Sequence, residues 1–179
     1  MHKGLPWGLN LWGFTDFNGT QGTRDDHFEL TQFFTEYRLR KPLPKLYKVE
    51  GLGVELEYNE ARGADNGLLR VGLTFKHAVS TPYGTGWLQW RGLPYETDGS
   101  GQQLSMIHFF ALGERLTLAG FSDFNLNKHG PNRWVAESQL ACLIHGQLWL
   151  TLEARYNGFQ SANPSLDGSG IALGLSIRP

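Results

Sequence analysis

The sequence predicts an all-β fold: an antiparallel, up-and-down transmembrane β-barrel of about ten strands, forming a single domain over residues 1–179. Three observations lead there. Apolar and polar residues alternate with period two over most of the chain, as in strands that are wet on one face. Long loops rich in Gly, Asn, Asp and Ser alternate with tight turns along the sequence. On the apolar parity, Phe17, Tyr58, Phe124, Trp134 and Tyr156 all stand at the strand ends next to the long loops, the level of a membrane-interface girdle. Composition agrees. Glycine at 23 of 179 residues, with 18% charged and 13% aromatic residues, suits many strands and turns better than helices.

Taken in order, the period predicts strands near 6–17, 27–39, 49–59, 67–79, 86–95, 102–112, 115–126, 133–145, 147–157 and 169–178. The clearest is "GVELEYNE", in which Leu52, Val54, Leu56 and Tyr58 oppose Glu55 and Glu57. In "LLRVGLTFKHAV", Leu69, Val71, Leu73 and Phe75 oppose Arg70, Thr74 and Lys76. "QLWLTLEARYNG" sets Leu148, Leu150, Leu152, Ala154 and Tyr156 against Thr151, Glu153 and Arg155, and "GIALGLSIRP" sets Ile171, Leu173, Leu175 and Ile177 against Gly174, Ser176 and Arg178. Alternation is weaker in "DHFELTQFFTEYRL" and "QQLSMIHFFALG", which carry apolar residues on both parities; the first is also compatible with a helix. The long loops are "NGTQGTRDD", "EARGADNG", "ETDGSG", "NLNKHGPN" and "GFQSANPSLDGS", and the tight turns are "STPYGT", "GER" and "HG". Only "RKPLPKLYK" departs from this, as a longer turn with two prolines.

Several function classes fall away on composition. A net charge of −1 without a clustered Lys/Arg face gives no electrostatic reason for a nucleic-acid partner. The single cysteine, Cys142, excludes an internal disulfide and a cysteine-based zinc site, and reads as a small buried or lipid-facing residue. His2, His27, His77, His108, His129 and His145 show no metal-ligand spacing, no GxSxG motif is present, and no Gly-rich loop leads from a strand into a helix. No cofactor or metal is expected. The start "MHKGLPWGLN" has no apolar signal segment, so an exported protein would be read here in its mature form.

One hexapeptide is nearly repeated: "GFTDFN" at 13–18 and "GFSDFN" at 120–125, each followed at the same offset by a glutamine, Gln32 and Gln139. In both copies the parity puts Gly13, Phe17, Gly120 and Phe124 on the lipid face and Phe14, Asp16, Phe121 and Asp123 in the lumen. Glycine would leave a gap or bend in the lipid face, the last Phe would enter the girdle, and Asp would line the bore near its mouth. Common barrel grammar, a hairpin duplication and a paired acidic site at the mouth all fit the repeat.

The run "LTLAGFSDFNLN…RWVAESQLACLIHGQLWLTLEARYNGF", preceded by "VEGLGVELEYNEARG…NGLLRVGLTF", resembles the Tsx-like, nucleoside-specific outer-membrane channel superfamily, in an uncharacterised branch of it. The likeness covers most of residues 9–178, with "GFTDF" and "FELTQFFTEYRLRKPL" as the equivalent earlier hairpin. The resemblance implies a bacterial outer-membrane location and diffusion of nucleosides through a narrow bore. It also implies twelve strands, of which this chain would begin at the third, lacking the first hairpin; a closed ten-stranded form is the expectation.

The lumen-facing parity collects Asp16, Gln32, Glu36, Arg38, Glu55, Glu57, Arg70, Lys76, Arg91, Asp123, Gln139, Glu153, Arg155 and Arg178, with the aromatics Trp12, Phe14, Phe121 and Trp149. Ten tilted strands close at a backbone radius of roughly 10 Å, so these side chains would leave a narrow passage. The expected function is a channel for small polar solutes or ions, nucleosides among the candidates, in a monomer whose other partner is the lipid bilayer. Two alternatives stand beside it. Paired charges could simply satisfy a non-conducting lumen, or Asp16, Asp123 and His129 near the loop end could serve a barrel hydrolase. Nothing in the sequence brings those three together, so the expectation is a non-enzyme.

Overall fold

The computed structural model describes residues 2–20, 29–45, 49–61, 67–99, 101–158 and 168–178, without the side chains of 2–3, 16–20, 29–33 and 61. The chain is all-β. A short strand β1 (His2–Gly4) and a single 3₁₀ turn at Pro6–Gly8 precede ten long strands: β2 (Asn10–Thr20), β3 (Glu29–Pro42), β4 (Leu52–Ala61), β5 (Leu68–Thr81), β6 (Gly84–Glu96), β7 (Gly101–Ala111), β8 (Leu116–Asn127), β9 (Arg133–His145), β10 (Leu148–Asn157) and β11 (Gly168–Ile177). They follow one another in the sheet in chain order, and the described pairings are antiparallel. This is the expected up-and-down arrangement, and the ambiguous segment before Pro42 is strand, not helix.

Two details differ from the sequence reading. The first long strand starts at Asn10 rather than residue 6, because Pro6 offers no N–H to a ladder and Trp7 and Gly8 take positive φ angles of 59° and 69°. Among the described residues β11 pairs only with β10, so the expected closure between strands around Leu11 and Leu173 is absent here.

The chain divides into two compact units. In the first, residues 1–73 and 93–99, Trp12, Phe14, Glu36, Arg38, Glu55 and Glu57 share one face of the β2–β3–β4 ladder. The polar members of that set are the buried ones: Glu36, Arg38, Glu55 and Glu57, together with Arg70 and Glu96. Val54 and Leu56, on the opposite face, are exposed.

The second unit, residues 74–92 and 100–179, shows the same inversion. Arg91, Gln103, Ser105, Asp123 and Asn125 are buried, whereas Leu104, Leu140, Leu150, Leu152 and Leu173 are exposed. Its polar face is also concave. Thr117 of β8 registers with Ala141 of β9, Ala141 with Thr151 of β10, and Thr151 with Gly174 of β11. Flat strands spaced by ~4.8 Å would put the two ends of that row roughly 14 Å apart. Yet Arg178, just past β11, donates from Nη1 to the Thr117 hydroxyl at 3.1 Å, while its guanidinium lies 4.7 Å from the Trp149 ring centre. This part of the sheet, β8 to β11, curls toward its polar side.

Candidate functional site: the buried polar face

The polar face of the first unit is a lattice of charges. Arg38 pairs with Glu36 on its own strand and with Glu57 of β4 at 3.3 Å. Glu57 also takes the Nη1 of Arg70 at 2.9 Å, and Arg70 Nε reaches Glu96 of β6 at 2.6 Å. Asn59 adds a hydrogen bond to Glu57 at 3.0 Å. A chain of alternating sign thus crosses four consecutive strands, each charge facing an opposite one. That arrangement is the condition under which buried ions are tolerated. Trp12 lies beneath Arg38, 4.5 Å from ring centre to guanidinium carbon, and packs edge-on to Phe14, which in turn meets Phe34.

In the second unit several of the links run through uncharged side chains. Arg91, wholly buried, donates to the Ser105 hydroxyl at 3.2 Å, and that hydroxyl donates to Asp123. Gln103 donates to Asn125 at 3.1 Å. Lys76 sits 3.7 Å over the Trp87 ring, which stacks with Phe109. Gln139 uses its amide NH₂ twice, toward Glu137 at 2.9 Å and Glu153 at 3.0 Å. Arg155 registers opposite Glu137, and Phe121 registers with Glu137 from the other side, on the same face. The side chains of Asp16 and Gln32 lie outside the described residues.

Comparison with protein-family models, curated proteins and solved structures gives no match. The site is therefore read from its own geometry.

Parity puts Glu57 and Arg70 on one face, and the structure joins them. Lys76, on the same parity as Arg70, lies over Trp87. Sequence reasoning missed Glu96. Pro94 and Tyr95 are both exposed, so the alternation slips by one residue there and turns Glu96 onto the buried side, beyond the strand end read at 95. Asp123 is buried and accepts a hydrogen bond from the Ser105 hydroxyl; the side chain of Asp16, its partner in the expected acidic pair, lies outside the described residues. His129 stands exposed on the loop after β8.

The repeated glycines have a different role from the one expected. Gly13 registers with Tyr37 and Gly120 with His108, and in each case the partner's ring covers the space above the glycine. A Cβ at Gly13 would strike the Tyr37 ring first and then the Glu36 carbonyl; one at Gly120 would strike the Glu137 carbonyl first and then the His108 ring. The gap in the apolar face is filled from the neighbouring strand. Beyond it, Phe124 registers with Trp134 and packs edge-on to it at 5.9 Å between ring centres.

Proposed function

We propose that the chain is a bacterial outer-membrane β-barrel that forms a narrow channel for small polar solutes or ions. One observation carries this reading: charge is inside and hydrocarbon is outside. Arg91 is 0% and Glu57 1% exposed, whereas Leu73 is 62% and Leu152 46% exposed. In water that distribution would be costly twice over, through desolvated ions and through large apolar side chains exposed on strand after strand. In a bilayer the outer face meets lipid tails, and the polar face can hold water.

Supporting features are independent of burial. The ten long strands run 10 to 14 residues, enough to cross a hydrocarbon core at a tilt. Phe124, Trp134 and Tyr156 gather at the loop end of β8, β9 and β10, as an interfacial girdle would. The concavity of the second unit's polar face is that of a wall bent around a lumen. The likeness to the Tsx-like channels points the same way.

The ion lattice of Glu36, Arg38, Glu57, Arg70 and Glu96 favours a structural role for that part of the wall, since each charge is already matched. The hydrolase alternative has no comparable support. Asp123 is engaged by Ser105, and His129 is exposed on its loop.

Single-channel recording in a planar bilayer tests the proposal. Small, stepwise currents are expected. A large, unselective conductance would contradict a narrow bore, and silence from well-inserted protein would leave only the structural role.

A further inference from the structure

The polar face of β11 is nearly bare. Gly170, Ala172, Gly174 and Ser176 register opposite Arg155, Glu153, Thr151 and Trp149 of β10, a row of small residues beside a row of large ones. The result is a groove of about 390 Å³ lined by Gln139, Thr151, Glu153, Arg178 and residues 172–176 of β11. That size is within the range of small-molecule sites. The groove is polarised. At one end Arg178 spends one Nη1 bond on Thr117, leaving the rest of its guanidinium fork to donate. At the other, Gln139 has committed its NH₂ to Glu137 and Glu153, so its carbonyl oxygen and the second oxygen of Glu153 remain to accept.

The spacing of these ends can be worked from the register. Arg178 bonds the row that runs Thr117, Ala141, Thr151, while Gln139 and Glu153 form the row two residues further along the same face. Two residues of strand are roughly 7 Å. A carboxylate and an ammonium on one carbon or on neighbouring carbons, with a hydrogen bond of ~2.8 Å at each end, span about that distance.

We propose that this groove is the solute lane of the channel and that it takes small zwitterions, a carboxylate toward Arg178 and an ammonium toward Glu153 and Gln139. The inference rests on the channel reading. A simple anion of the same size would gain one partner and meet one repelling charge, and so would a simple cation.

The test is efflux of labelled glycine from vesicles, against glycolate and protonated ethanolamine, through protein inserted as Cys142→Ser. Glycine should leave several-fold faster than either ion. Adding Ala172→Cys and modifying it after insertion with a bulky charged methanethiosulfonate should cut glycine efflux at least tenfold. Reduction should restore it, which separates blockage from misfolding. The same label on Leu152→Cys, on the opposite face of β10, should change nothing. Glycine efflux that stays at the unlabelled rate after complete labelling of the Ala172→Cys variant would overturn the lane alone. Equal rates for all three solutes would overturn its charge preference. Vesicles that retain every solute would overturn the channel reading, and the lane with it.

Discussion

Replacing Arg70 by methionine removes a cation lying between two buried carboxylates while keeping most of the side chain's length. Its contacts are Glu57 at 2.9 Å and Glu96 at 2.6 Å, and both carboxylate side chains are at most 6% exposed. At an effective dielectric of ~20, each contact contributes roughly 6 kcal/mol before desolvation is subtracted. Desolvation cancels most of that in the native protein. In the variant it is not cancelled, because the carboxylates stay buried. Glu57 keeps Arg38 at 3.3 Å, but Glu96 loses its described ion-pair partner. Breaking a buried pair from one side typically costs about 3–5 kcal/mol, and Arg70→Met is expected in that range. Adding Glu96→Gln should recover a substantial part, since it removes the stranded charge. The control is Lys45→Met, whose pair with Glu50 at 2.6 Å is solvent-exposed and should be worth about 0–1 kcal/mol. Urea unfolding of vesicle-inserted protein, followed by tryptophan fluorescence, gives all three values. If Arg70→Met costs no more than Lys45→Met, the lattice does not hold the wall together.

Three further outcomes follow from the same geometry. Gly120→Ala should destabilise by about 1–3 kcal/mol because its Cβ meets backbone; Gly13→Ala should cost less, its nearest obstacle being a ring that can turn, and Gly174→Ala, with open space around it, should be near neutral by the same unfolding assay. Ser105→Ala removes the hydroxyl between Arg91 and Asp123 and should cost about 1–3 kcal/mol in urea unfolding, with Ser105→Thr retaining most of the stability. A variant keeping Trp134 as its sole tryptophan should be quenched most by lipids brominated near the headgroup; strongest quenching by deep bromines would move the girdle from the loop end.

The strands were legible where one face is uniformly apolar. Leu52, Val54 and Leu56 against Glu55 and Glu57 fix β4 without help, and the even leucines do the same for β10. The segment around Phe33 and Phe34 was ambiguous because both parities there are aromatic, and only the ladders to β2 and β4 decide it. The partners of the charges were less legible than their side. Parity tells that Arg70 faces inward, but Glu96 reaches it only through the slip at Pro94 and Tyr95, which no periodic pattern carries. The repeated hexapeptide was visible at once. Its physical reason was not, because Tyr37 and His108 lie on other strands and meet Gly13 and Gly120 only through register.

The central claim is that each strand has one face toward lipid and one toward water, with the charges on the wet side. Nitroxide labels placed singly from position 149 to 156 along β10, in the Cys142→Ser background in vesicles, test it most directly. Accessibility to oxygen should peak at 150, 152 and 154, and accessibility to a polar nickel chelate at 151, 153 and 155, with a period of two. The opposite phase, with Leu150 and Leu152 sealed from lipid and Glu153 and Arg155 on an outer wet surface, would contradict the account.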